Sequence, residues 1–391
     1  MMNFIFAIAL FQTGIVLDVG VALTMEERRV LHNARILVSD GRIFAIGSRG
    51  DIKVPEGWDH IEWLDSIAFP GGVDLHSHTQ TGGWGDINDM VNPDNPELRV
   101  LDTVVPWNLD YRTGCAGGVT TVNAIPGSGT NISGAGVLVK LKKTLEVDDA
   151  VFRSPGSVKV AQGYNPERGG GDLGATRMGM WWMLRWWLDW AREEAEDPGP
   201  DDPAVAHIAG IFRGEHPFLV HTAGARDTYG TVRMFHLEAK VPVVVSHASF
   251  SGYMAGEAIA ETGAGLNIGP RNFDARFHAR NQIRGLVEAF ESAGNTDISV
   301  QTDANVIPQE EFLFQATLAE RLGCSTWTAL ESINSDPARQ ILAGDRIGRL
   351  VPGLDADIVV KAGSPLDPRS PVQLVLIDGE ITYDIREKQI Y

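Results

Sequence analysis

Two histidines separated by one residue end an apolar stretch of the chain. His76 and His78 follow residues 67–75, whose apolar composition with interspersed proline and glycine is typical of a short strand. Side chains two positions apart on a strand point to the same face. The two imidazoles can therefore bind one borderline-soft divalent metal. Because a His-x-His pair also occurs in strands that bind no metal, the interpretation depends on the residues that accompany it.

Other metal-competent residues also end apolar runs. His221 follows FLV at 218–220, His247 follows VVVS at 243–246, and Asp303 follows ISVQT at 298–302. Five such residues at the ends of strand-like runs are hard to obtain by chance, so the sequence predicts a metal centre.

The spacing of these runs predicts the fold. The interval from His221 to His247 is about half of the interval from His247 to Asp303, and about a third of the interval from His78 to Lys159. The three intervals thus correspond to one, two and three repeats of nearly equal length. Helical patterns fill the intervals, and eight such units over about 250 residues match a TIM barrel. We therefore predict an α/β protein with a (β/α)8 barrel at residues 66–345, and its catalytic groups at the carboxyl ends of the strands.

The two ends of the chain predict a second, smaller domain. Residues 1–65 and 346–391 both contain short strand patterns with hairpin turns, and neither segment is large enough to be stable alone. We expect them to form one composite β-sandwich. Residues 1–13 include an apolar run that fits either an edge strand or a signal peptide without a clear cleavage site. The location, cytoplasmic or exported, therefore stays open.

The amino-acid composition limits the classes of molecule that the protein is expected to bind. Of the 391 residues, 33 are Lys or Arg and 51 are Asp or Glu, which gives a net charge of −18 and argues against nucleic-acid and membrane partners. A tryptophan-rich helical segment at residues 176–196 carries Arg185, Asp189 and Arg192, so it does not span a membrane. It fits a packing helix, or alternatively a lid or an oligomer contact. We expect a small-molecule substrate and leave a homo-oligomer possible.

Several motifs resemble those of the amidohydrolase superfamily, in its imidazolonepropionase-like and prolidase-like branch. The motifs are PGGVDLHSH at residues 70–78, GVTTV at 118–122 followed by PGS at 126–128, and GRLVPGLDADIV at 348–359. The resemblance implies a barrel beside a small β-sandwich, and one or two divalent ions, expected to be Zn²⁺, that activate a water. It also implies the ligand set His76, His78, His221, His247 and Asp303.

Lys159 is a further candidate ligand. In SVKVA at residues 157–161 it alternates with two valines, so it faces the barrel interior if this segment is a strand. In binuclear members of the superfamily a lysine at this position is carboxylated and bridges two metals, and the resemblance implies the same for Lys159. The alternative is a lysine paired with a buried carboxylate. Relatives of this branch often carry a glutamate after this strand that could serve as an alternative ligand, but this sequence reads GYNP at residues 163–166. Its absence leaves the bridging role to Lys159, or leaves a one-metal site.

The implied reaction is hydrolysis of a C–N bond in an amide, cyclic amide or dipeptide-like substrate. Asp303 would take the proton of the attacking water and deliver it to the leaving nitrogen. His247, if it binds no metal, would polarise the carbonyl. Among residues of the strand-to-helix loops, Tyr164, Arg168 and Arg271 are candidates for substrate contact.

Two other classes of protein fit the same residues. One is a mononuclear deaminase or imidazolonepropionase-type hydrolase, with His247 as catalytic partner to a single ion. The other is a non-catalytic binding or scaffold barrel. A barrel that has lost its chemistry would be expected to have lost ligands as well, and all of them are present.

Overall fold

The computed structural model describes residues 13–83, 87–167, 176–199, 202–274 and 282–387. The apolar segment at residues 1–12, and with it the choice between signal peptide and edge strand, lies outside this range. In chain order the strands are β1 (Ile15–Leu23), β2 (Val30–Ser39), β3 (Arg42–Ser48), β4 (Asp59–Pro70), β5 (Gly72–Ser77), β6 (Val119–Ala124), β7 (Ile132–Ala135), β8 (Val137–Lys140), β9 (Val151–Arg153), β10 (Val158–Ala161), β11 (Phe218–His221), β12 (Val243–His247), β13 (Gly265–Ile268), β14 (Phe273–Asp274), β15 (Arg284–Gly285), β16 (Ile298–Val300), β17 (Ile358–Lys361), β18 (Val372–Ile377) and β19 (Glu380–Asp384).

The described helices all lie between β5 and β17, mainly in the connections that follow the parallel strands. They are α1 (Leu109–Ala116), α2 (Val147–Ala150), α3 (Arg177–Glu196), α4 (Pro203–Phe212), α5 (Ala225–Thr231), α6 (Gly256–Ala260), α7 (Leu286–Ser292), α8 (Phe312–Arg321), α9 (Thr326–Glu331) and α10 (Ser335–Gln340). A π-helical segment, Val232–Glu238, continues α5, and 3-10 turns lie at Val100–Thr103, Gly252–Ala255 and Gln309–Glu311. This mixture of elements confirms the predicted α/β class.

Strands from both ends of the chain share one sheet. Its order is β19-β18-β17-β4-β1-β2-β3, and β17 pairs antiparallel with the end of β4, placing Ile358 opposite Pro70. Each end thus supplies strands that the other lacks, which is what we expected from segments too small to fold separately. The sandwich architecture and the domain limits at residues 65 and 346 stay predictions.

The middle of the chain contributes parallel strands whose carboxyl ends share one edge. Strands β10, β11, β12, β13 and β16 are parallel neighbours in a six-stranded sheet, and β5 is parallel to β6 in a four-stranded one. A parallel bridge between Ser77 and Ala304 links the two sheets. Among the described residues these pairings do not trace a full ring of eight parallel strands, so the closed barrel stays a prediction. They do bring the ends of β5, β11, β12 and β16 together, and with them the histidines and the aspartate singled out above.

The tryptophan-rich helix α3 packs against the parallel sheet. Trp187 is buried and donates its indole N–H to Asp94, whereas Trp182 and Trp186 are 57% and 48% exposed. No helix among the described residues is long and apolar enough to cross a bilayer. The exposed indoles of Trp182 and Trp186 are available for a contact with another copy of the chain, and the homo-oligomer stays a prediction.

A buried lysine joins the terminal sheet to the rest of the chain. Lys140, at the end of β8, is 2% exposed, and its ammonium contacts the carboxylates of Asp355, Asp357 and Asp378. Asp355 also receives Arg346 in a bidentate pair at 2.8 and 2.9 Å. The neighbouring carboxylates raise the pKa of Lys140, although burial alone would lower it. The two aspartates of the DAD motif at residues 355–357 therefore act as partners of a lysine that is distant in sequence.

We expect Lys140→Met to lower the free energy of unfolding by about 3–5 kcal/mol, because it leaves three carboxylates without their central cation. Lys142→Met is the matched control, since Lys142 contacts Asp378 at 2.8 Å but is 26% exposed. A pair that reaches solvent contributes only about 0–1 kcal/mol. Urea unfolding curves measure both changes, and equal losses in the two variants would contradict the buried role of Lys140.

Candidate metal centre

Three of the predicted ligands converge at the carboxyl edge of the parallel strands. One ligand atom from each of His76, His78 and Asp303 lies within 4.8 Å of the other two. The Oδ1 atom of Asp303 is 3.1 Å from Nε2 of His78 and 3.4 Å from Nε2 of His76. The alternation of β5 accounts for the histidine pair, as the i, i+2 spacing predicted.

Two further imidazoles, those of His221 and His247, lie next to this group. The ring centroid of His247 lies 4.3 Å from that of His221 and 4.4 Å from that of His76. The Nε2 atoms of His221 and His247 are buried, and neither has a hydrogen-bond partner among the described residues. A buried nitrogen without a partner is costly unless a ligand satisfies it.

Each of the four imidazoles is held through its other nitrogen. Nδ1 of His78 donates to the carbonyl of Ile125 at 2.8 Å, and Nδ1 of His247 donates to that of Gly269 at 2.7 Å. Nδ1 of His221 contacts the hydroxyl of Ser128 at 2.9 Å. Nδ1 of His76 contacts the hydroxyl of Ser246 at 2.6 Å. Metal-binding histidines typically use their second nitrogen in this way, which leaves Nε2 for the ion.

The contact between His78 and Asp303 tests whether a metal fits. A carbonyl only accepts, so Nδ1 of His78 carries the ring proton and its Nε2 presents a lone pair. That lone pair lies 3.1 Å from a carboxylate oxygen, which is also an acceptor. Only a second proton on the imidazole or a shared cation reconciles the two. The nearby Nε2 atoms of His221 and His247 also have no partner among the described residues, which a bound cation would explain and a second proton on His78 would not. Imidazole nitrogens and a carboxylate oxygen together form a donor set that suits zinc.

Lys159 points into this group of side chains. It is fully buried on β10, and its Nζ lies 2.9 Å from Nε2 of His76. Burial lowers the pKa of Lys159 to about 7, with Asp303 opposing the shift. The side chain of Lys159 thus points inward, as the strand alternation predicted. Asp303 is the nearby carboxylate whose negative charge favours the ammonium form of Lys159.

Electrostatics keep these groups in the forms that bind metal. Burial lowers the pKa of His247 to about 4 and those of His76 and His221 well below their ordinary value, so the rings are neutral near pH 7. Burial alone would raise the pKa of Asp303, but the His78 imidazole and other nearby basic groups hold it below its ordinary value. Both His247 and Asp303 have positive φ angles, 67° and 51°, a strained conformation that is concentrated at functional sites.

Sequence reasoning missed the residues that support the ligands. Asp74 is fully buried and accepts hydrogen bonds from Thr302, Gln309 and the backbone of His76, and burial raises its pKa to about 6. It thereby ties the end of β5 to the residue before Asp303. A charged residue inside an apolar run was the available signal. Ser128 and Ser246 gave no comparable one.

A cavity of about 620 Å³ opens beside the centre, lined by His78, Asp303, Asn88, Asn165 and Val306 among others. Residues 127–129 form one wall, where the Gly127 amide donates to the carbonyl of Ile87 and the Gly129 amide donates to Oδ1 of Asn88.

The three residues proposed for substrate contact have different outcomes. Tyr164 is 73% exposed next to Asn165 of the cavity wall. The guanidinium of Arg271 lies 5.2 Å from the ring centroid of Phe273 and is not part of that wall. Arg168 lies outside the described residues. Contact with substrate stays a prediction for all three.

We compared the chain with known protein families, sequences and solved structures. No family model matches the chain. A curated relative, the amidohydrolase tasK of Hapsidospora irregularis, is 26% identical over 359 residues, which are 80% of this chain and 36% of that protein. The chain thus spans about a third of that relative's length.

Two solved structures extend the comparison. An amidohydrolase from Thermotoga maritima superposes with a TM-score of 0.83 at 26% identity, covering 95% of this chain and all of the other. A prolidase in complex with N-methylphosphonate-L-proline gives a TM-score of 0.60 at 18% identity, covering 94% and 99%. Together with the tasK relative, these similarities confirm the resemblance of this chain to the amidohydrolase superfamily.

Proposed function

We propose that this protein is a metal-dependent hydrolase that cleaves a C–N bond in an amide, cyclic amide or dipeptide-like substrate. One observation carries the proposal: four buried imidazoles, each held at Nδ1, lie together at the carboxyl edge of the strands, and two of them, His76 and His78, contact the carboxylate of Asp303. The names of the relatives, amidohydrolase and prolidase, support hydrolysis of a C–N bond.

His76, His78, His221, His247 and Asp303 would hold the metal. A zinc ion would lower the pKa of a bound water to about 7, which would supply a nucleophile at neutral pH. The protein's own part is to hold the rings neutral and oriented and to keep the carboxylate ionised. Asp303 would accept the proton of the attacking water and pass it to the leaving nitrogen. The cavity lined by His78 and Asp303 is where the substrate carbonyl would lie.

Lys159 would complete a two-ion site. Its Nζ lies beside His76, and the residue is fully buried. Addition of carbon dioxide to the neutral amine, with release of one proton, would give an anionic carbamate that could serve as a ligand shared by two ions. With Lys159 unmodified the site would hold one ion, and His247 would then polarise the substrate carbonyl, as in the mononuclear alternative.

Metal analysis tests the proposal directly. We expect the purified chain to contain one or two zinc-class ions, to lose hydrolysis of a panel of amides, lactams and dipeptides on dialysis against a chelator, and to regain it with Zn²⁺. Two ions per chain would favour the bridged site and one ion the mononuclear alternative. A chain that binds no divalent ion and hydrolyses none of the panel before or after reconstitution would contradict the proposal.

A further inference from the structure

A row of polar side chains runs across the interior of three parallel strands. Ser246 on β12 is in register with Asn267 on β13, which is in register with Ser299 on β16. All three are 0% exposed. The row begins at the candidate ligand His76 and ends at Gln340, in the last turn of α10.

Every contact in this row is a hydrogen bond. The Ser246 hydroxyl lies 2.6 Å from Nδ1 of His76 and 3.2 Å from Oδ1 of Asn267. Nδ2 of Asn267 donates to the Ser299 hydroxyl at 2.8 Å and to the carbonyl of Val300 at 3.3 Å. The Ser299 hydroxyl donates to Oε1 of Gln340 at 2.6 Å.

The far end of the row determines the direction of its hydrogen bonds. Nε2 of Gln340 donates to the carbonyl of Leu266 and to the carboxylate of Asp297, both of which only accept, so the Gln340 oxygen faces Ser299. The acceptors of the single Ser299 proton are then the Gln340 oxygen at 2.6 Å and the carbonyl of Leu266 at 3.3 Å, so Ser299 accepts from Asn267. The carbonyl of Val300 likewise requires the Asn267 nitrogen on that side. Its oxygen must then face Ser246.

The same reasoning extends to His76. Since the Asn267 oxygen only accepts, the single proton of the Ser246 hydroxyl is used there. Ser246 can then only accept from His76, and Nδ1 of His76 must carry the ring proton. Nε2 is left with its lone pair directed at Lys159 and Asp303, the side on which the ion would bind.

We propose that Asn267 is a positioning residue that fixes the tautomer of His76 through Ser246. The metal-binding part of this inference rests on the proposed function, but the tautomer does not. Nδ1 of His78 and Nδ1 of His247 each face a backbone carbonyl, which fixes the same tautomer directly. Among the described residues, Nδ1 of His76 instead contacts the hydroxyl of Ser246, so its tautomer depends on side chains. A satisfied polar row inside a core also specifies one arrangement of its members.

Two substitutions of Asn267 separate this role from general packing. Asn267→Leu keeps the approximate volume but removes the acceptor, so the Ser246 proton becomes free to point at His76. Asn267→Asp retains an acceptor toward Ser246 whether its carboxyl is ionised or protonated. Asn295→Leu is the matched control, because Asn295 is a buried asparagine that donates only to the carbonyls of Gly256 and Phe290.

The readout is the ¹⁵N spectrum of the His76 ring in metal-free protein, assigned by its loss in His76→Gln. We expect wild type, Asn267→Asp and Asn295→Leu to show the Nδ1–H tautomer, and Asn267→Leu to show a mixture. Zinc affinity from chelator competition should fall about 10- to 100-fold in Asn267→Leu and remain near wild type in Asn295→Leu.

A folded Asn267→Leu protein with an unmixed Nδ1–H signal and wild-type zinc affinity would overturn the inference. If Asn267→Leu does not fold, Ser246→Ala takes its place, since it removes the hydroxyl that Asn267 directs, and an unchanged tautomer there would overturn the inference equally. The ring tautomer is measured without metal or substrate, so a failure of the proposed hydrolase function would appear separately, as absent metal binding and absent turnover.

Discussion

Replacing Asp303 by asparagine is expected to lower kcat by about 10²- to 10⁴-fold, the range for loss of a positioned acid–base group. Asparagine retains the shape of the side chain but cannot accept the proton of the attacking water. Its neutral amide also removes the carboxylate that lies 3.1 Å from His78. Steady-state kinetics together with metal analysis of the same preparation separate loss of proton transfer from loss of the ion.

Asp227→Asn is the matched control for this experiment. Asp227 is also a buried carboxylate that follows a parallel strand, but it pairs with Arg177 rather than with the imidazoles. We expect this variant to have a lower Tm and a kcat within a few-fold of wild type. If Asp303→Asn were as active as Asp227→Asn, Asp303 would not be the proton acceptor.

The second large effect is expected at Lys159. If a carboxylated Lys159 bridges two ions, Lys159→Ala should reduce the bound metal from two ions to one or fewer, with a corresponding loss of turnover. Bicarbonate or a short-chain carboxylate should partly restore activity by entering the space left by the side chain. The physical reason is that two cations a few ångströms apart need an anion between them.

Lys361→Met controls for the removal of a buried amine. Lys361 is 5% exposed and donates to the carbonyls of Pro365 and Asp367, remote in sequence from every proposed ligand. Its substitution should leave the metal content unchanged. Full metal content and full turnover in Lys159→Ala would exclude the bridge and leave the one-ion site.

The sequence was informative about the site because ligand positions follow from strand periodicity. The i, i+2 spacing of His76 and His78 requires a shared face, and a polar residue after a short apolar run marks the end of a strand. The run that precedes His221 and the one that precedes His247 correspond closely to β11 and β12. Because the carboxyl ends of parallel strands lie at the same edge of a sheet, predicting parallel strands was enough to place all these ligands at one edge.

Contacts between strands were not accessible in the same way. The register that aligns Ser246, Asn267 and Ser299 depends on how far each strand is shifted along its neighbours, and no periodicity within one strand contains that information. For the same reason the DAD motif was recognised but Lys140, its partner, was not. A lone polar residue inside an apolar run, such as Asn267 in GLNI, is the signal to follow in such cases.

The shared terminal sheet has a consequence for synthesis on the ribosome. Strands β1 to β4 emerge first, but β17, which pairs with β4, follows only after all the parallel strands of the middle of the chain. Until then β4 presents an open edge that can pair with another chain. The part of β4 that waits for β17 ends in Pro70, which lacks a backbone N–H and weakens that edge as a template. Because the rest of this edge stays unpaired until β17 is made, a nascent chain stalled before residue 358 should still be more prone to aggregation than one that includes β17.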